Sequence, residues 1–201
     1  MVDLRHADDW LMLAVNDLAK DTPWLHTTVL AYASYGVVLF GLLLVLGLLS
    51  ARHRSSRVLA AAGWAGIATV VAVALNQPLG QRVDEARPYA VHPGLLRLAS
   101  PTADFSFPSD HCVMAGAVAV GLLLVSRRLG LVAVVLAVLM AFSRVYIAAH
   151  YPWDVLAGLL FGGGVALLGW LALRQPLTWA TDRLRCQWGL RSLFNRVAPA
   201  E

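Results

Sequence analysis

Five long apolar stretches alternate with short polar or charged segments along the chain. The first, residues 28–49, carries no formal charge and is long enough to cross a hydrocarbon core about 30 Å thick. The fourth contains Arg144, and the third is short unless its helix begins near Ser109. The pattern predicts an all-α, multi-pass transmembrane helical bundle with five spans, at 28–49, 58–75, 112–126, 129–149 and 155–173.

Residues 8–20, ahead of the first span, have an amphipathic pattern. Apolar residues recur there at helical spacing among charged ones: Trp10, Leu11, Ala14, Val15 and Leu18. The pattern fits a helix lying at the membrane interface and a helix packed on the rest of the protein equally well. We assign residues 1–26 to this N-terminal interfacial segment, which lacks the basic start and apolar stretch of a cleavable signal peptide.

The composition agrees with a membrane location. The 201 residues are 59% hydrophobic and 14% charged, with a mean hydropathy of +0.66, whereas soluble domains are roughly 45–50% apolar and about 25% charged. These values argue against a soluble globule and against disorder, and the length suits a single domain, 1–201. Two cysteines, Cys112 and Cys186, are too few for a disulfide framework.

The positions of the arginines predict the topology. The net charge is +4, but the arginines form no basic stripe, so we expect no nucleic-acid partner. Segments 76–110 and 150–154 should lie on the outer face of the plasma (inner) membrane, and the basic tail 174–201 should lie in the cytoplasm. This topology places Cys112 and Cys186 on opposite sides of the membrane. By the positive-inside rule, the cytoplasmic ends are those marked by the following arginines: Arg52, Arg54, Arg57, Arg127, Arg128, Arg174, Arg183, Arg185, Arg191 and Arg196.

Ionisable residues gather at the predicted outer ends of the fourth and fifth spans. Arg144 lies in an apolar stretch, where a charged group is costly and carries a functional presumption. His150 follows six residues later and Asp154 four residues after that. Because Pro152 disfavours helix at Tyr151, we place Asp154 in the first turn of the fifth span and His150 just before it. A carboxylate hydrogen-bonded to one ring nitrogen would prepare the other nitrogen for attack.

Two further segments supply candidate anion-binding groups on the same face. Residues 107–111 read FPSDH, in which Ser109 and Asp110 suit a helix start and His111 would add a proton donor beside an anion bound there. Upstream, QRVDEARPY carries Arg82 and Arg87, whose guanidinium groups suit phosphate oxygens. The nearby acidic residues could pair with these arginines instead. Two histidines and several arginines without metal-ligand spacing point to phosphoryl transfer through a covalent intermediate.

These three segments, in this order, resemble the signature of the type 2 phosphatidic acid phosphatase superfamily of membrane lipid phosphatases. The last part is complete as Ser143, Arg144, His150 and Asp154, and the resemblance covers about residues 76–173. Two positions depart from the signature. Asp110 stands where the family usually has glycine, and Gly80 stands at the position of the family lysine, so that Arg82 is the nearest basic replacement.

The resemblance implies a role for each of these residues. His150 would attack phosphorus and form a phosphohistidine, Asp154 would orient it, and His111 would protonate the leaving oxygen and later activate water. The phosphate-binding groups would be Arg87, Arg144, Ser109, Asp110 and Arg82, with no metal and no other cofactor.

The resemblance also suggests the substrate. A site at the outer face favours a membrane lipid phosphate, first undecaprenyl pyrophosphate hydrolysed to undecaprenyl phosphate. The alternatives are phosphatidic acid or phosphatidylglycerophosphate. A non-catalytic membrane transporter or lipid-binding protein is the alternative from another class. The expected partners are the lipid substrate and the bilayer; the oligomeric state stays open.

Overall fold

The computed structural model describes residues 2–102 and 104–187, with side chains described for residues 5–102 and 104–186. Within these ranges the chain is helical or loop, with no strand, which confirms the all-α prediction. A 3₁₀ turn, Pro23–Leu25, joins the first two helices. The α-helices are α1 (Val2–Asp21), α2 (His26–Tyr35), α3 (Val37–Ala51), α4 (Ser56–Val83), α5 (Pro88–Val91), α6 (Asp110–Leu123), α7 (Arg127–Tyr146) and α8 (Pro152–Gln187).

The apolar helices divide into clear and incomplete membrane spans. The helices that begin at Ser56, Arg127 and Pro152 are long and apolar enough to cross a membrane, and α2 with α3 makes a fourth span if the bent pair counts as one. Among the described residues this gives three or four candidate spans in place of the predicted five.

The first predicted span is broken, because α2 and α3 meet at an angle of 50°. The break falls at Gly36, whose main-chain nitrogen donates to the Tyr32 carbonyl. A Cβ at Gly36 would lie 2.8 Å from the Met140 methyl group, so the missing side chain lets α7 approach the break closely. The span predicted over 28–49 is therefore bent, and hydropathy does not register such a local approach.

Helix α6 is short because it is central. It is surrounded by α4, α7 and α8, and most of its residues from Cys112 to Leu122 are buried. Small residues bring its backbone against α8, where a Cβ at Gly116 would overlap the Leu159 carbonyl and one at Gly162 would overlap the Val113 carbonyl. A helix enclosed by protein does not need the full thickness of the bilayer.

Helix α1 packs on the rest of the protein. Its buried face includes Met12 and Asn16, and the Asn16 side chain makes two hydrogen bonds to the main chain of Leu96, at 2.8 and 3.0 Å. Asp8 accepts a hydrogen bond from the main chain of Trp153 at the start of α8. The outer face exposes apolar side chains such as Trp10, and its location at the membrane interface stays a prediction.

The last two helices end at places the hydropathy pattern did not predict. Helix α7 stops at Tyr146, and α8 continues past Pro176 to Gln187. The first part of the predicted tail 174–201 is therefore helical. Residues 188–201 of that tail, with Arg191 and Arg196, lie outside the described residues.

Candidate active site

A cavity of about 300 Å³ lies where α6 begins and α7 ends. Segments far apart in the sequence contribute its polar walls. Its lining includes most of the predicted site residues and some that were not predicted: Ser34, Arg87, Tyr89, Thr102, Asp104, Asp110, His111, Arg144 and His150.

His150 lies at the centre of this arrangement, 2% exposed. It follows a tight turn in which Ala148 has φ 61°, a left-handed conformation that is costly for a residue with a Cβ. Nδ1 lies 2.7 Å from the Ser106 carbonyl oxygen. Nε2 lies 3.3 Å from Nη1 of Arg87 and 3.4 Å from Nη2 of Arg144.

These contacts determine the tautomer of His150. A carbonyl oxygen can only accept and a guanidinium group can only donate, so Nδ1 carries the proton and Nε2 presents its lone pair to the arginines. Burial lowers the pKa of His150, and the positive charges of Arg144 and Arg87 act in the same direction. The arrangement therefore holds a neutral imidazole with a free lone pair at Nε2, which is the form of histidine that attacks as a nucleophile.

Asp154 supports this site less directly than the sequence predicted. It lies in the first turn of α8, as expected from Pro152. However, its carboxylate is 3.7 Å from Nδ1 of His150, and Oδ2 instead accepts hydrogen bonds from the Ser106 hydroxyl, at 2.5 Å, and from the main chain of Tyr151, at 2.9 Å. Asp154 therefore lies beside His150, as predicted, while the Ser106 carbonyl takes the direct hydrogen bond of Nδ1.

Sequence reasoning missed Ser106. It joins the two residues, since its hydroxyl donates to Asp154 while its carbonyl oxygen accepts from His150. Nothing in the local sequence distinguishes it from the other polar residues of the loop between α5 and α6. Its position becomes informative only in the folded protein, where the loop passes between Asp154 and His150.

Arg87 is held from several sides. It is 7% exposed, donates to the Ala149 carbonyl at 2.9 Å and pairs with the Asp104 carboxylate at 3.0 Å. Its own ψ of 150° is the extended conformation that a following proline favours, and this turns the chain from α4 into α5. Burial raises the pKa of Asp104, but the hydrogen bond from Thr102 and the charge of Arg87 outweigh burial, so that the pKa is lowered overall.

Arg144 reaches the cavity from the last turn of α7. Its Nη1 lies 3.4 Å from the Ala33 carbonyl, next to the break between α2 and α3. Its Nε is buried and has no hydrogen-bond partner within the described residues. The structure therefore brings Arg144 to the site, as predicted.

His111 lines the cavity from the first turn of α6. Burial, together with the positive charges of Arg144 and Arg87, lowers its pKa to about 3. A bound phosphate would bring negative charge and raise this pKa again, so His111 can hold a proton when an anion is beside it.

Ser109 and Asp110, the two residues before His111, lie in different surroundings. Ser109 is fully buried at the N-cap position of α6, makes no side-chain capping bond and is not part of the cavity lining. Asp110 lines the cavity, but Asn76 and Gln77 of α4 bind its carboxylate through their side-chain amides at 2.7–3.1 Å. Through these hydrogen bonds Asp110 connects α6 to α4. This role differs from the predicted contact with phosphate.

Arg82 does not reach the cavity. It is exposed in the last turn of α4 and does not line the site, so the structure gives no support to its assignment as a phosphate-binding residue, which stays a prediction. Gly80, at the position of the family lysine, is buried. A Cβ there would lie 3.2 Å from the Phe107 carbonyl oxygen, so the loop of Phe105 and Phe107 packs where a longer side chain would begin.

No group of three or more histidine, cysteine, aspartate or glutamate side chains is arranged to hold a metal ion in the part of the chain that the structure describes. The two cysteines are free, Cys112 buried in α6 and Cys186 exposed near the end of α8.

The PAP2 superfamily matches residues 61–176 of the chain. The bacitracin transport permease protein BcrC of Bacillus licheniformis is 31% identical over 91% of this chain and 85% of its own length. The undecaprenyl-diphosphatase BcrC of Bacillus subtilis (strain 168) is 30% identical over 80% of each chain. A solved structure, that of a transmembrane PAP2-type phosphatidylglycerolphosphate phosphatase from Bacillus subtilis, has a TM-score of 0.63 at 20% identity, over 94% of this chain and 90% of that one.

The helical fold, the cavity and the similarity to known proteins together define a membrane-embedded phosphatase. The chain belongs to the PAP2 superfamily, which confirms the resemblance given by its three segments.

Proposed function

We propose that this protein hydrolyses undecaprenyl pyrophosphate to undecaprenyl phosphate and inorganic phosphate through a phosphohistidine at His150. The observation that carries the proposal is the convergence of Arg87 and Arg144 on Nε2 of His150, at 3.3 and 3.4 Å. Two guanidinium groups beside an available lone pair suit an anion that is attacked at that nitrogen. His111 lines the same cavity and supplies the acid.

In the first step, Nε2 of His150 attacks the terminal phosphorus, forming an N–P bond as the bond to the bridging oxygen breaks. His111 gives its proton to that leaving oxygen. Arg87 and Arg144 hold the other oxygens of the transferred group, and their charge stabilises the negative charge that develops there.

In the second step, His111 takes a proton from water, which attacks phosphorus and breaks the N–P bond. Phosphate leaves and His150 returns to its neutral form. The positive charge that His150 carries in between is offset by its Nδ1–H bond to Ser106 and by the nearby carboxylate of Asp154. Asp154 is therefore a positioning and electrostatic residue for His150.

Several observations support a lipid diphosphate as the substrate. The Bacillus subtilis relative is named an undecaprenyl-diphosphatase, and the match covers four-fifths of both chains. The cavity lies at one end of the bundle, and Ser34 beside the α2–α3 break contributes to its wall. The positive-inside rule assigns this end to the outer face of the plasma membrane and leaves the C-terminus in the cytoplasm.

The decisive experiment measures phosphate release by the purified protein in detergent with excess chelator. Its arms are undecaprenyl pyrophosphate, phosphatidic acid and phosphatidylglycerophosphate. We expect undecaprenyl pyrophosphate to have the highest kcat/KM and the chelator to have no effect. A strict need for added magnesium would overturn the mechanism, and a preference for either glycerolipid would reassign the substrate.

The pH dependence tests the state of His150. The pKa of His150 is lowered from about 6.5, the ordinary pKa of histidine. The imidazole therefore remains neutral as the pH falls through 6.5 and gains a proton only at a lower pH. The nucleophile is lost only as pH falls through the lowered value, so the acid limb of kcat/KM should lie below about pH 6.5. An acid limb at or above that pH would contradict the proposed environment of His150.

One relative favours a second candidate, since the Bacillus licheniformis protein is named a transport permease. A transporter would bind a lipid phosphate in the same cavity and move it unchanged. Turnover to free phosphate by the purified protein excludes that candidate, whereas tight binding of undecaprenyl pyrophosphate without turnover would favour it.

A further inference from the structure

The carboxylate of Asp154 has one oxygen that the mechanism leaves unexplained. The side chain is 1% exposed. Oδ2 accepts hydrogen bonds from Ser106 and Tyr151, but Oδ1 is buried and receives none from any donor in residues 2–102 and 104–187. Such an oxygen is costly to bury, so a donor is expected beside it.

Glu85 is the residue in position to supply that donor. Its side chain is half-buried and lies close enough to Asp154 for the two carboxyl groups to interact. Its main-chain carbonyl also accepts a hydrogen bond from the main chain of Ser106 at 2.8 Å. Two ionised carboxylates can only accept, so a hydrogen bond between them requires one proton.

The surrounding charges favour that proton. The charged and titratable groups that face the Glu85 carboxyl are Asp154 and Tyr151 next to it, and Asp8 and Arg5 of α1. Burial raises the pKa of Asp8, and the charge of Asp154 adds to this. Burial and the surrounding carboxylates raise the pKa of Tyr151 to about 12. Arg5 is a single exposed cation among several acidic groups, so the cluster carries excess negative charge.

We propose that Glu85 is a positioning residue whose carboxyl group shares one proton with Asp154. The proton closes a ring of contacts: Glu85 holds Ser106 through the main chain, Ser106 binds Asp154 through its hydroxyl, and Asp154 binds Glu85 through the shared proton. The Ser106 carbonyl that orients His150 belongs to this ring. Loss of the proton leaves two carboxylates in contact, and their repulsion displaces Ser106 from His150.

This inference rests on the proposed function, since the readout is turnover. Glu85→Gln keeps a donor toward Asp154 at every pH, whereas Glu85→Ala removes it. We expect Glu85→Ala to lower kcat by about tenfold or more, the loss of one hydrogen bond to a charged group, with KM within about twofold. Glu85→Gln should keep kcat within about threefold of wild type. It should also lose the part of the alkaline decline that release of the shared proton gives the wild type, and keep the part that belongs to the general acid His111.

The matched control is Asp84→Asn. Asp84 is the exposed neighbouring carboxylate, and asparagine tolerates its φ of 53°. This variant removes the charge of a neighbouring carboxylate outside the proposed pair, and it should keep the wild-type pH profile. An alkaline limb that moves equally in Asp84→Asn and Glu85→Gln would assign the effect to net charge and overturn the proposal.

A spectroscopic measurement separates this inference from the proposed function. An infrared difference spectrum should contain the carbonyl stretch of a protonated carboxyl group in the wild type at neutral pH, and lose it in Glu85→Gln. A retained band together with an unchanged pH profile in Glu85→Gln would overturn the proton-sharing pair. If the wild type releases no phosphate from any lipid but shows the band, the proposed function fails while the pair stands.

Discussion

The two ends of the helical bundle both carry arginines that bind main-chain carbonyl oxygens, yet their surroundings differ. At the cavity end, Arg87 is 7% exposed and donates to Ala149 as well as facing His150. At the other end, the exposed Arg54 donates to the Val125 carbonyl at 2.8 Å, and Arg185 donates to that of Arg52 at 3.1 Å. Hydrogen bonding to carbonyls is therefore common to both ends and does not identify a site.

What distinguishes the cavity end is the accumulation of positive charge in a partly closed space. Arg87 and Arg144 both approach one histidine nitrogen, and Asp104 balances only part of their charge. An exposed guanidinium is screened by water, and its ion pairs are worth about 0–1 kcal/mol. A buried pair of guanidinium groups needs anionic partners, and a phosphate group satisfies that need.

The largest expected effect is that of His150→Ala. Removing the nucleophile should lower phosphate release from undecaprenyl pyrophosphate by at least about a thousandfold, while the protein keeps its helical spectrum. His6→Ala, at an exposed histidine of α1, is the control and should be unaffected. Near-normal turnover in His150→Ala would remove the basis for assigning the site to this end.

A charge-preserving substitution compares the two ends directly. Arg87→Lys keeps the positive charge but cannot contact Ala149, Asp104 and the phosphate through one planar fork, so kcat/KM should fall by about a hundredfold. Arg54→Lys, at the opposite end, should stay within about twofold. Equal effects in the two variants, measured on the same lipid, would show that burial of Arg87 has no catalytic meaning.

Ser106→Ala separates the main-chain role of Ser106 from its side-chain role. The variant keeps the carbonyl that accepts from His150 but loses the hydroxyl that donates to Asp154. We expect kcat to fall about tenfold with little change in KM. Ser50→Ala at the far end, where the hydroxyl donates to the Gly47 carbonyl, provides the comparison. A changed KM with an unchanged kcat would place Ser106 in substrate binding.

The smallest effect is expected for Arg82→Ala. Arg82 is exposed and outside the cavity lining, so kcat/KM should remain within about twofold of wild type, the usual range for surface charges. A tenfold loss would mean that Arg82 reaches the phosphate in the complex and replaces the family lysine after all.

Much of the fold was accessible from the sequence because hydropathy is a local property. The apolar stretches located α4, α7 and α8, and Pro152 located the start of α8 just before Asp154. The ends of the helices were less accessible. The break at Gly36 and the short central α6 depend on how closely neighbouring helices approach, which no single stretch of sequence records.

The site shows the same division. The segments that carry Arg87, His111, Arg144 and His150 were recognisable by residue type and order, and the cavity brings these four together. Arg82 lies outside the cavity lining, because proximity along the chain does not ensure proximity in space. Ser106 was missed because its importance arises from contacts with residues 44 and 48 positions away.

The sequence by itself determined that this is a helical membrane protein of the PAP2 superfamily and which residue types carry its chemistry. Only the tertiary structure decided which arginine enters the cavity, which atom fixes the tautomer of His150 and which carboxyl group faces Asp154. The reason is physical. Helix formation and membrane insertion follow from local hydrophobicity, whereas hydrogen bonds such as that between Arg87 and His150, 63 residues apart, exist only after α4, α6 and α8 have packed.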